Sequence, residues 1–256
     1  MGSTQRQIKA AQKAIDIIEI LRCRDAATPQ EVAEVLDISK TSAYYYLRTL
    51  KESGYAVNDE NGYRLSLRLF SLGTDVRSKQ SVYHTASEQV SRLADETGEL
   101  ALFMIEERGK GVYLDLNRGE HAAIQADWLG KRCHLHDNAL GKAILSLFSE
   151  DRVKEIINNH GLPGTTENTI TDQDVLFDEL DEIRETGVAF DREEQLEGLQ
   201  CVAAPVINNN QRFQSVLGAI CVASPKSRMD KKRRTEEFPH LVQDAANIIQ
   251  LNHVSE

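Results

Sequence analysis

The spacing of apolar residues predicts three short helices near the beginning of the chain. Residues 11–24 carry an apolar stripe at helical spacing, made of Ala14, Ile17, Ile18 and Leu21. Residues 29–36 and 40–53 show the same periodicity, and Asp37-Ile38 separates them by too little to be more than a tight turn. The first part of the chain therefore folds as a small helical domain.

Polar residues mark where the second and third of these helices begin. Thr28 and Glu31 have the spacing of a capping box, in which each side chain accepts a hydrogen bond from the backbone of the other. Pro29 then occupies the first helical position, where its missing N–H costs nothing. Ser39 is the candidate N-cap of the third helix, and Gly54 is placed to end that helix.

Two short β-prone runs, residues 55–57 and 63–67, follow the third helix. Asn61-Gly62 lies between them and is a strong turn signal, which predicts a β-hairpin. Three short helices followed by a hairpin are the element order of a winged helix-turn-helix, a fold that binds double-stranded DNA. We assign this domain to residues 1–66.

The rest of the chain alternates between the two periodicities. Residues 67–77 and 82–97 have helical spacing, and further helices are predicted at 139–148, 151–159, 172–185 and 230–251. Strands are predicted at 99–106, 111–116, 122–128, 188–191, 200–207 and 215–223, with a Gly-Lys-Gly turn between the first two. Strands interspersed with helices favour an α+β sensor domain. The predicted organisation is a linker helix in residues 67–81 and an effector-binding domain in residues 82–256.

Composition narrows the class of protein further. The 256 residues include no apolar run near the roughly 20 residues that a membrane helix needs, and the N-terminus lacks the apolar stretch of a signal peptide. We therefore expect a cytoplasmic protein with no membrane partner, in which the four cysteines are reduced thiols. The net charge of −10 comes from the part of the chain after residue 78, which has 30 acidic and 19 basic residues. Residues 1–78 have 10 acidic and 11 basic residues and are nearly neutral. Any affinity for DNA must then come from locally placed cations.

The third helix is the candidate recognition helix. Its apolar positions Ala43, Leu47 and Leu50 face the core, which leaves the opposite side for DNA. Arg48 suits a guanine edge and Thr41 a base edge or a thymine methyl. The full predicted contact set is Lys40, Thr41, Ser42, Tyr44, Tyr45, Arg48, Lys51 and Arg64, of which Lys51 and Arg64 are phosphate clamps. The alternative is an ordinary solvated helix with incidental basic residues.

Several segments resemble the IclR (isocitrate lyase regulator) family of transcriptional regulators. They are residues 41–50 with Gly54-Tyr55 and Tyr63-Arg64-Leu65, residues 135–143, residues 187–194, residues 198–206 and residues 219–225. The resemblance implies a winged helix-turn-helix joined by a linker helix to a GAF-like effector domain. It further implies a homodimer or dimer of dimers that binds a palindromic operator. Such a regulator represses or activates a catabolic operon in response to a small organic or sugar acid. The family often has Arg at position 45 and Gly at position 66, where this chain has Tyr45 and Ser66.

The same resemblance places an effector pocket at Asp191, Cys201, Cys221 and Ala223. The last two positions often carry small hydroxyls in the family, so this pocket has less capacity for hydrogen bonding and does not suit a simple two-carbon acid. An apolar wall is expected from Trp128, Leu129, Gly130 and Leu199, and the helix start at Ala139-Leu140-Gly141 offers N–H groups to an anion. The alternatives are a turn-capping role for Asp191 and plain core packing for Trp128 and the two cysteines.

Three further features bear on metal binding, on charge and on catalysis. Cys133-His134-Leu135-His136-Asp137 has no second ligand pair at zinc spacing, so neither a metal site nor a cofactor is predicted. The basic run at 226–234 is expected to be a solvated loop and helix start, with an acidic partner as the alternative. No catalytic motif is present, and Cys201 with His134 or His136 is the only candidate for nucleophilic catalysis. A redox or metal sensor that uses Cys201 and Cys221 on the same DNA-binding frame remains a third possibility.

Overall fold

The computed structural model describes residues 8–122, 128–208 and 215–253. The chain divides into two compact units, Met1–Ser78 and Lys79–Glu256. No helix in the described residues is long and apolar enough to cross a membrane. Most of the strand predicted at 122–128 falls outside the described residues.

The secondary structure follows the predicted order. The helices are α1 (Lys9–Arg22), α2 (Pro29–Leu36), α3 (Lys40–Glu52), α4 (Arg68–Ser78), α5 (Tyr83–Thr97), α6 (Ala139–Ser146), α7 (Glu150–His160), α8 (Gln173–Thr186) and α9 (Phe238–His253). The strands are β1 (Ala56–Asp59), β2 (Gly62–Leu65), β3 (Leu100–Glu107), β4 (Lys110–Arg118), β5 (Arg132–Cys133), β6 (Ala189–Arg192), β7 (Leu199–Asn208) and β8 (Ser215–Pro225).

The N-terminal unit is a three-helix core with a wing. The capping box is present: the Glu31 N–H donates to Thr28 Oγ1 at 3.3 Å, and the Thr28 N–H donates to Glu31 Oε2 at 2.7 Å. Ser39 Oγ accepts from the Ser42 N–H at 3.1 Å and caps α3. Asp37 ends α2 in the left-handed region, with φ of 49°, which makes the turn between α2 and α3 tight. The stripe predicted for α1 faces this core through Ile17 and Leu21, which are buried.

The wing is the predicted hairpin, with its turn one residue earlier than Asn61-Gly62. Asp59 pairs with Gly62, so Glu60 and Asn61 form the turn. Gly62 has φ of 117°, and a Cβ there would lie 2.7 Å from the Ala27 carbonyl oxygen. Ala27 forms an isolated bridge to Tyr63 at this point. The glycine is thus required where the wing passes the chain entering α2, a contact that turn statistics do not reveal.

The C-terminal unit is built on a six-stranded antiparallel sheet in the order β5-β4-β3-β8-β7-β6. Side chains alternate between its two faces: Leu199, Cys201 and Ala203 of β7 point to the core formed with α6 and α8, whereas Val202 and Ala204 point to the core formed with α5 and α9. The unit is therefore a three-layer α+β domain, as the sequence pattern predicts.

Three local features differ from the prediction. The turn between β3 and β4 is formed by Arg108 and Gly109, both at positive φ, rather than by the Gly-Lys-Gly sequence as a whole. The short strand β5 was not predicted, because two residues carry no periodicity. The helix predicted at 230–251 contains a wider, π-helical turn at Arg233–Glu237, directly before α9.

Candidate functional site

Helix α3 presents its predicted DNA-facing residues to solvent. Ala43, Leu47 and Leu50 are buried in the core of the N-terminal unit, while Tyr44 and Tyr45 are 43% and 59% exposed. Lys40, Thr41, Arg48, Lys51 and Arg64 are also exposed, and Ser42 is half-buried beside the Ser39 cap. We call these eight residues of α3 and the wing the recognition surface.

The cations of the recognition surface differ in their partners. Arg48 Nε donates to Glu52 Oε1 at 2.7 Å, and this pairing is the main cause that raises the pKa of Arg48. Arg64 Nε donates to Asp59 Oδ2 at 3.1 Å. Lys40 and Lys51 have no ion-pair partner among the described residues. Exposed pairs of this kind contribute little to stability, so DNA phosphates and bases can compete for both guanidinium groups.

In the C-terminal unit, the strand register gathers most of the residues predicted to form the effector pocket. Asp191 pairs with Cys201, Cys201 pairs with Ala223, and Cys221 pairs with Ala203 one step along. Asp191, Cys201, Cys221 and Ala223 are at most 7% exposed. Leu140 and Leu199 are buried in the core cluster that contains the two cysteines. Trp128 is half-buried and packs against that cluster. Leu129 and Gly130 lie at the surface outside it.

Asp191 is the polar centre of this group, which we call the effector site. Its Oδ1 accepts from the Glu194 N–H at 2.7 Å, so the turn-capping role is present. Its Oδ2 is buried and has no hydrogen-bond partner among the described residues. Burial raises the pKa of Asp191 to about 7. A buried oxygen without a partner is costly, and in a native protein it commonly marks a place where a ligand or water binds.

Lys142 lies next to Asp191 in the structure and was missed by the sequence argument. It is fully buried, and its Nζ donates to Glu194 Oε2 at 2.7 Å and to Glu179 Oε1 at 2.9 Å. This network fixes the turn after β6 whose N–H groups hold Asp191. A lysine in the middle of the mostly apolar segment 139–146 was the signal that could have revealed it, because a lysine is fully buried only when it is paired.

Tyr113 on β4 is the second residue that sequence reasoning missed. Its hydroxyl donates to Gln195 Oε1 at 2.9 Å, close along the chain to Asp191. Its ring stacks on Trp128, with centroids 5.3 Å apart and planes at 21°. Trp128 therefore packs as a pair with Tyr113, so the aromatic wall of the effector site comes from two segments.

The start of helix α6 offers fewer free donors than expected. Asn138 caps it by accepting from the Gly141 N–H at 2.8 Å, and the Lys142 N–H donates to the Asn138 carbonyl at 3.0 Å. Gly141 is also held close to Leu135, since a Cβ on Gly141 would lie 2.2 Å from the Leu135 carbonyl oxygen. Of the three predicted N–H groups, those of Ala139 and Leu140 remain for an anion.

The cysteines and histidines of the chain do not form a reactive or metal-binding cluster in the described residues. Cys201 and Cys221 are free thiols on adjacent strands, and the pKa of Cys201 is raised well above its usual value by its contact with Cys221 and by burial. His136 lies with Nε2 3.1 Å from the Pro163 carbonyl, and His134 contacts Lys110. Nothing here activates Cys201 as a nucleophile, since catalysis requires a lowered pKa or an adjacent base.

The basic run at 226–234 is more than the solvated loop that the sequence predicted. Glu99 is 1% exposed and accepts from Arg228 through both carboxylate oxygens, at 2.9 and 2.6 Å. Arg233 adds a third contact to Glu99 at 3.3 Å, and Lys226 pairs with Glu193 at 2.6 Å. The prediction was wrong for Arg228 and Arg233, because Glu99 lies far away in the sequence, whereas Lys226 stays exposed.

Two family models match the chain. The model described as the IclR helix-turn-helix domain matches residues 10–60, and the model described as the bacterial transcriptional regulator IclR C-terminal domain matches residues 74–251. The chain is 29% identical over 250 residues to the probable HTH-type transcriptional regulator ArcR of Halobacterium salinarum, covering 96% of this chain and 94% of that one.

Solved structures have the same fold. The IclR protein of Thermotoga maritima superposes with a TM-score of 0.80 at 26% identity, covering 97% of this chain and all of the other. An IclR homologue from Microbacterium hydrocarbonoxydans, crystallised with 4-hydroxybenzoate, superposes with a TM-score of 0.81 over 96% of this chain and all of the other. At 16% identity that second likeness concerns the fold alone.

Proposed function

Because the chain belongs to the IclR family of transcriptional regulators, we propose that it controls a catabolic operon by binding an operator whose affinity changes when a metabolite occupies the effector site. The family supplies the coarse function: a DNA-binding regulator, not an enzyme, with a metabolite-binding C-terminal domain. The observation that carries the finer proposal is the buried Oδ2 of Asp191, which has no hydrogen-bond partner among the described residues and lies beside the core that contains Cys201, Cys221 and Ala223. DNA as the partner places the protein in the cytoplasm.

The DNA half of the proposal rests on the recognition surface. A palindromic double-stranded operator is read by α3 in the major groove, with Tyr44, Tyr45 and Arg48 toward base edges and Thr41 at the helix start. Lys40, Ser42, Lys51 and Arg64 hold phosphates on either side. Tyr45 replaces the arginine common at this position, so Arg48 is the guanidinium that remains on α3 for guanine contact.

A palindromic operator requires a two-fold protein, and the N-terminal unit has exposed apolar residues that suit such contacts. Helix α4 buries none of its side chains within the chain. Leu67, Phe70 and Val76 are 84%, 71% and 63% exposed, and Ile8 and Ile15 beside and on α1 are 75% and 53% exposed. We propose that α1 and α4 form the homodimer contact and that a dimer of dimers is built from it.

The effector is proposed to be a hydroxylated organic acid, either an aromatic or a sugar acid. A hydroxyl of such a ligand donates to Asp191 Oδ2, and its carboxylate faces the N–H groups of Ala139 and Leu140. The Tyr113–Trp128 pair supplies a flat apolar wall. The 4-hydroxybenzoate of the Microbacterium protein is an acid of this chemistry.

Regulation then follows as a shift between two populations. The effector favours one arrangement of the C-terminal unit, and α4 transmits it as a change in the spacing of the two recognition helices of a dimer. The test is binding of the purified protein to DNA from its own gene neighbourhood, with and without a panel of aromatic and sugar acids. One compound that changes specific binding supports the proposal. Specific binding that no acid of either class alters contradicts the effector half.

A further inference from the structure

A cleft in the C-terminal unit, of about 460 Å³, is lined mainly by basic and imidazole side chains. Its lining residues are Arg108, Lys110, Arg132, Cys133, His134 and His160, none of which belongs to the effector site. We propose that this basic cleft binds a small multivalent anion, either a phosphate compound or a polycarboxylate, as a second ligand of the regulator. This inference concerns a different site from the one in the proposed function.

The backbone of the cleft holds Arg108 in a conformation that non-glycine residues seldom adopt. Arg108 has φ of 56° and is followed by Gly109 at 77°. His160 Nε2, at the end of α7, lies 2.9 Å from the Arg108 carbonyl oxygen and ties the turn to that helix. A Cβ on Gly109 would approach the same nitrogen to 2.7 Å. Two successive positive φ values are what a two-residue hairpin turn requires, so the β3–β4 turn fixes the Arg108 backbone beside the cleft.

The positive charge in the cleft is only partly neutralised. Arg132 pairs with Glu107, but neither Arg108 nor Lys110 has an ion-pair partner among the described residues. Lys110 Nζ lies 2.9 Å from His134 Nε2, and Asp137 behind them is engaged by Thr165 and Asn138. Burial lowers the pKa of Lys110, and burial together with Lys110 lowers the pKa of His134. An anion in the cleft would neutralise part of this positive charge, and a multivalent anion would pair with several of the cations at once.

The surroundings favour a small ligand over nucleic acid. The cleft is a local concavity in a part of the chain where acidic residues outnumber basic ones by 30 to 19. DNA tracks an extended basic surface because its phosphates repeat along the backbone. A small anion needs only the few convergent cations that this cleft provides.

The sheet connects the basic cleft to the effector site. Strand β5 carries Arg132, which pairs with Val112 of β4, the residue before Tyr113. The Gly130 N–H donates to the Tyr113 carbonyl at 2.9 Å, and the Lys131 N–H donates to the Trp128 carbonyl at 2.8 Å. An anion that shifts β5 therefore acts on the Tyr113–Trp128 stack, so the cleft is placed to modulate the response to the effector.

The experiment is calorimetric titration of the full-length protein, without DNA and at constant ionic strength. The probes are inorganic phosphate, pyrophosphate and citrate, with acetate as the monovalent control. Lys110→Gln and Arg108→Asn test the cleft, the asparagine being chosen because it tolerates positive φ. Lys131→Gln, an exposed lysine on the same segment as β5, is the matched control. Circular dichroism confirms that each variant is folded.

We expect saturable binding of at least one multivalent probe, at least tenfold tighter than acetate. Each cleft variant should weaken it tenfold or more, and Lys131→Gln should change it less than twofold. Preference for pyrophosphate over citrate assigns the phosphate class, and the reverse assigns polycarboxylates. The proposal is overturned if no probe binds saturably, if the folded cleft variants bind as well as the wild type, or if those variants instead lose affinity for operator DNA in anion-free buffer.

Discussion

The recognition surface and the effector site are built in opposite ways. Seven of the eight residues of the recognition surface lie on one helix of 13 residues, and most of them are exposed. The effector site draws on segments from Tyr113 to Ala223, and its central residues are buried. Local substitutions on α3 should therefore change function without affecting the fold, whereas substitutions around Asp191 act on stability and ligand binding together.

The most severe test of this contrast is Lys142→Met. Removing the ammonium leaves Glu194 as a buried carboxylate without a cation and leaves Glu179 with only Arg192, at 3.5 Å, which should destabilise the C-terminal unit by about 3–5 kcal/mol. Urea denaturation followed by circular dichroism measures the loss. Lys154→Met, which breaks an exposed pair on α7, is the control and should cost less than about 1 kcal/mol. Equal effects of the two substitutions would show that the buried network is not structural.

Asp191 makes stability depend on pH. The unfolded carboxyl has an ordinary pKa of 3.8, whereas burial raises the folded value to about 7, so the folded state holds the proton over a range in which the unfolded chain has released it. Stability should therefore fall as the pH rises from about 4 to 7, by roughly 1.4 kcal/mol per pKa unit and up to about 4 kcal/mol.

Asp191→Asn keeps the shape and removes the charge, so the stability difference between wild type and variant isolates this effect. The variant should show a flatter profile between pH 4 and 7 in denaturation experiments. Parallel profiles would mean that Asp191 is ionised throughout that range in the folded protein.

Arg48→Ala tests the contribution of the recognition surface to operator binding. Loss of a base contact should weaken operator binding by about 1–3 kcal/mol, or roughly fivefold to more than a hundredfold, with unfolding unchanged within about 0.5 kcal/mol. Fluorescence anisotropy with labelled operator measures it. Arg92→Ala removes a similar exposed pair with Glu96 on α5, and it should leave operator binding unchanged.

Thr28→Ala gives the smallest of these effects. It removes the side-chain half of the capping box at α2 and should cost about 1 kcal/mol of stability in the N-terminal unit. Thr28→Ser keeps the hydroxyl and should recover most of it in thermal denaturation. If serine and alanine were equally destabilising, the methyl group rather than the cap would be responsible.

The contrast also explains how much could be predicted from sequence. Helix caps such as Thr28 and Ser39 act over three residues, so the helices of the N-terminal unit follow directly from local pattern. The position of the wing turn does not follow from local pattern, because it depends on the close approach of Gly62 to Ala27, which lies in a different segment.

In the C-terminal unit, the strands follow from periodicity, but their order in the sheet does not. That order decides that Asp191, Cys201 and Ala223 are neighbours, which the sequence predicted only through resemblance to a family. Lys142 and the partners of Arg228 escaped prediction because charge pairs across 52 and 129 residues leave no mark on local sequence.

The most direct test of the account compares operator binding, with and without an identified effector, in the wild type, Arg48→Ala and Asp191→Ala. Effector binding is measured separately by calorimetry. We expect Arg48→Ala to lose operator affinity and still to bind the effector. We expect Asp191→Ala to bind the operator normally in the absence of effector and to show no change in operator binding when effector is added. If both folded variants lost both activities, DNA recognition and effector sensing would not be divided between the two units as proposed.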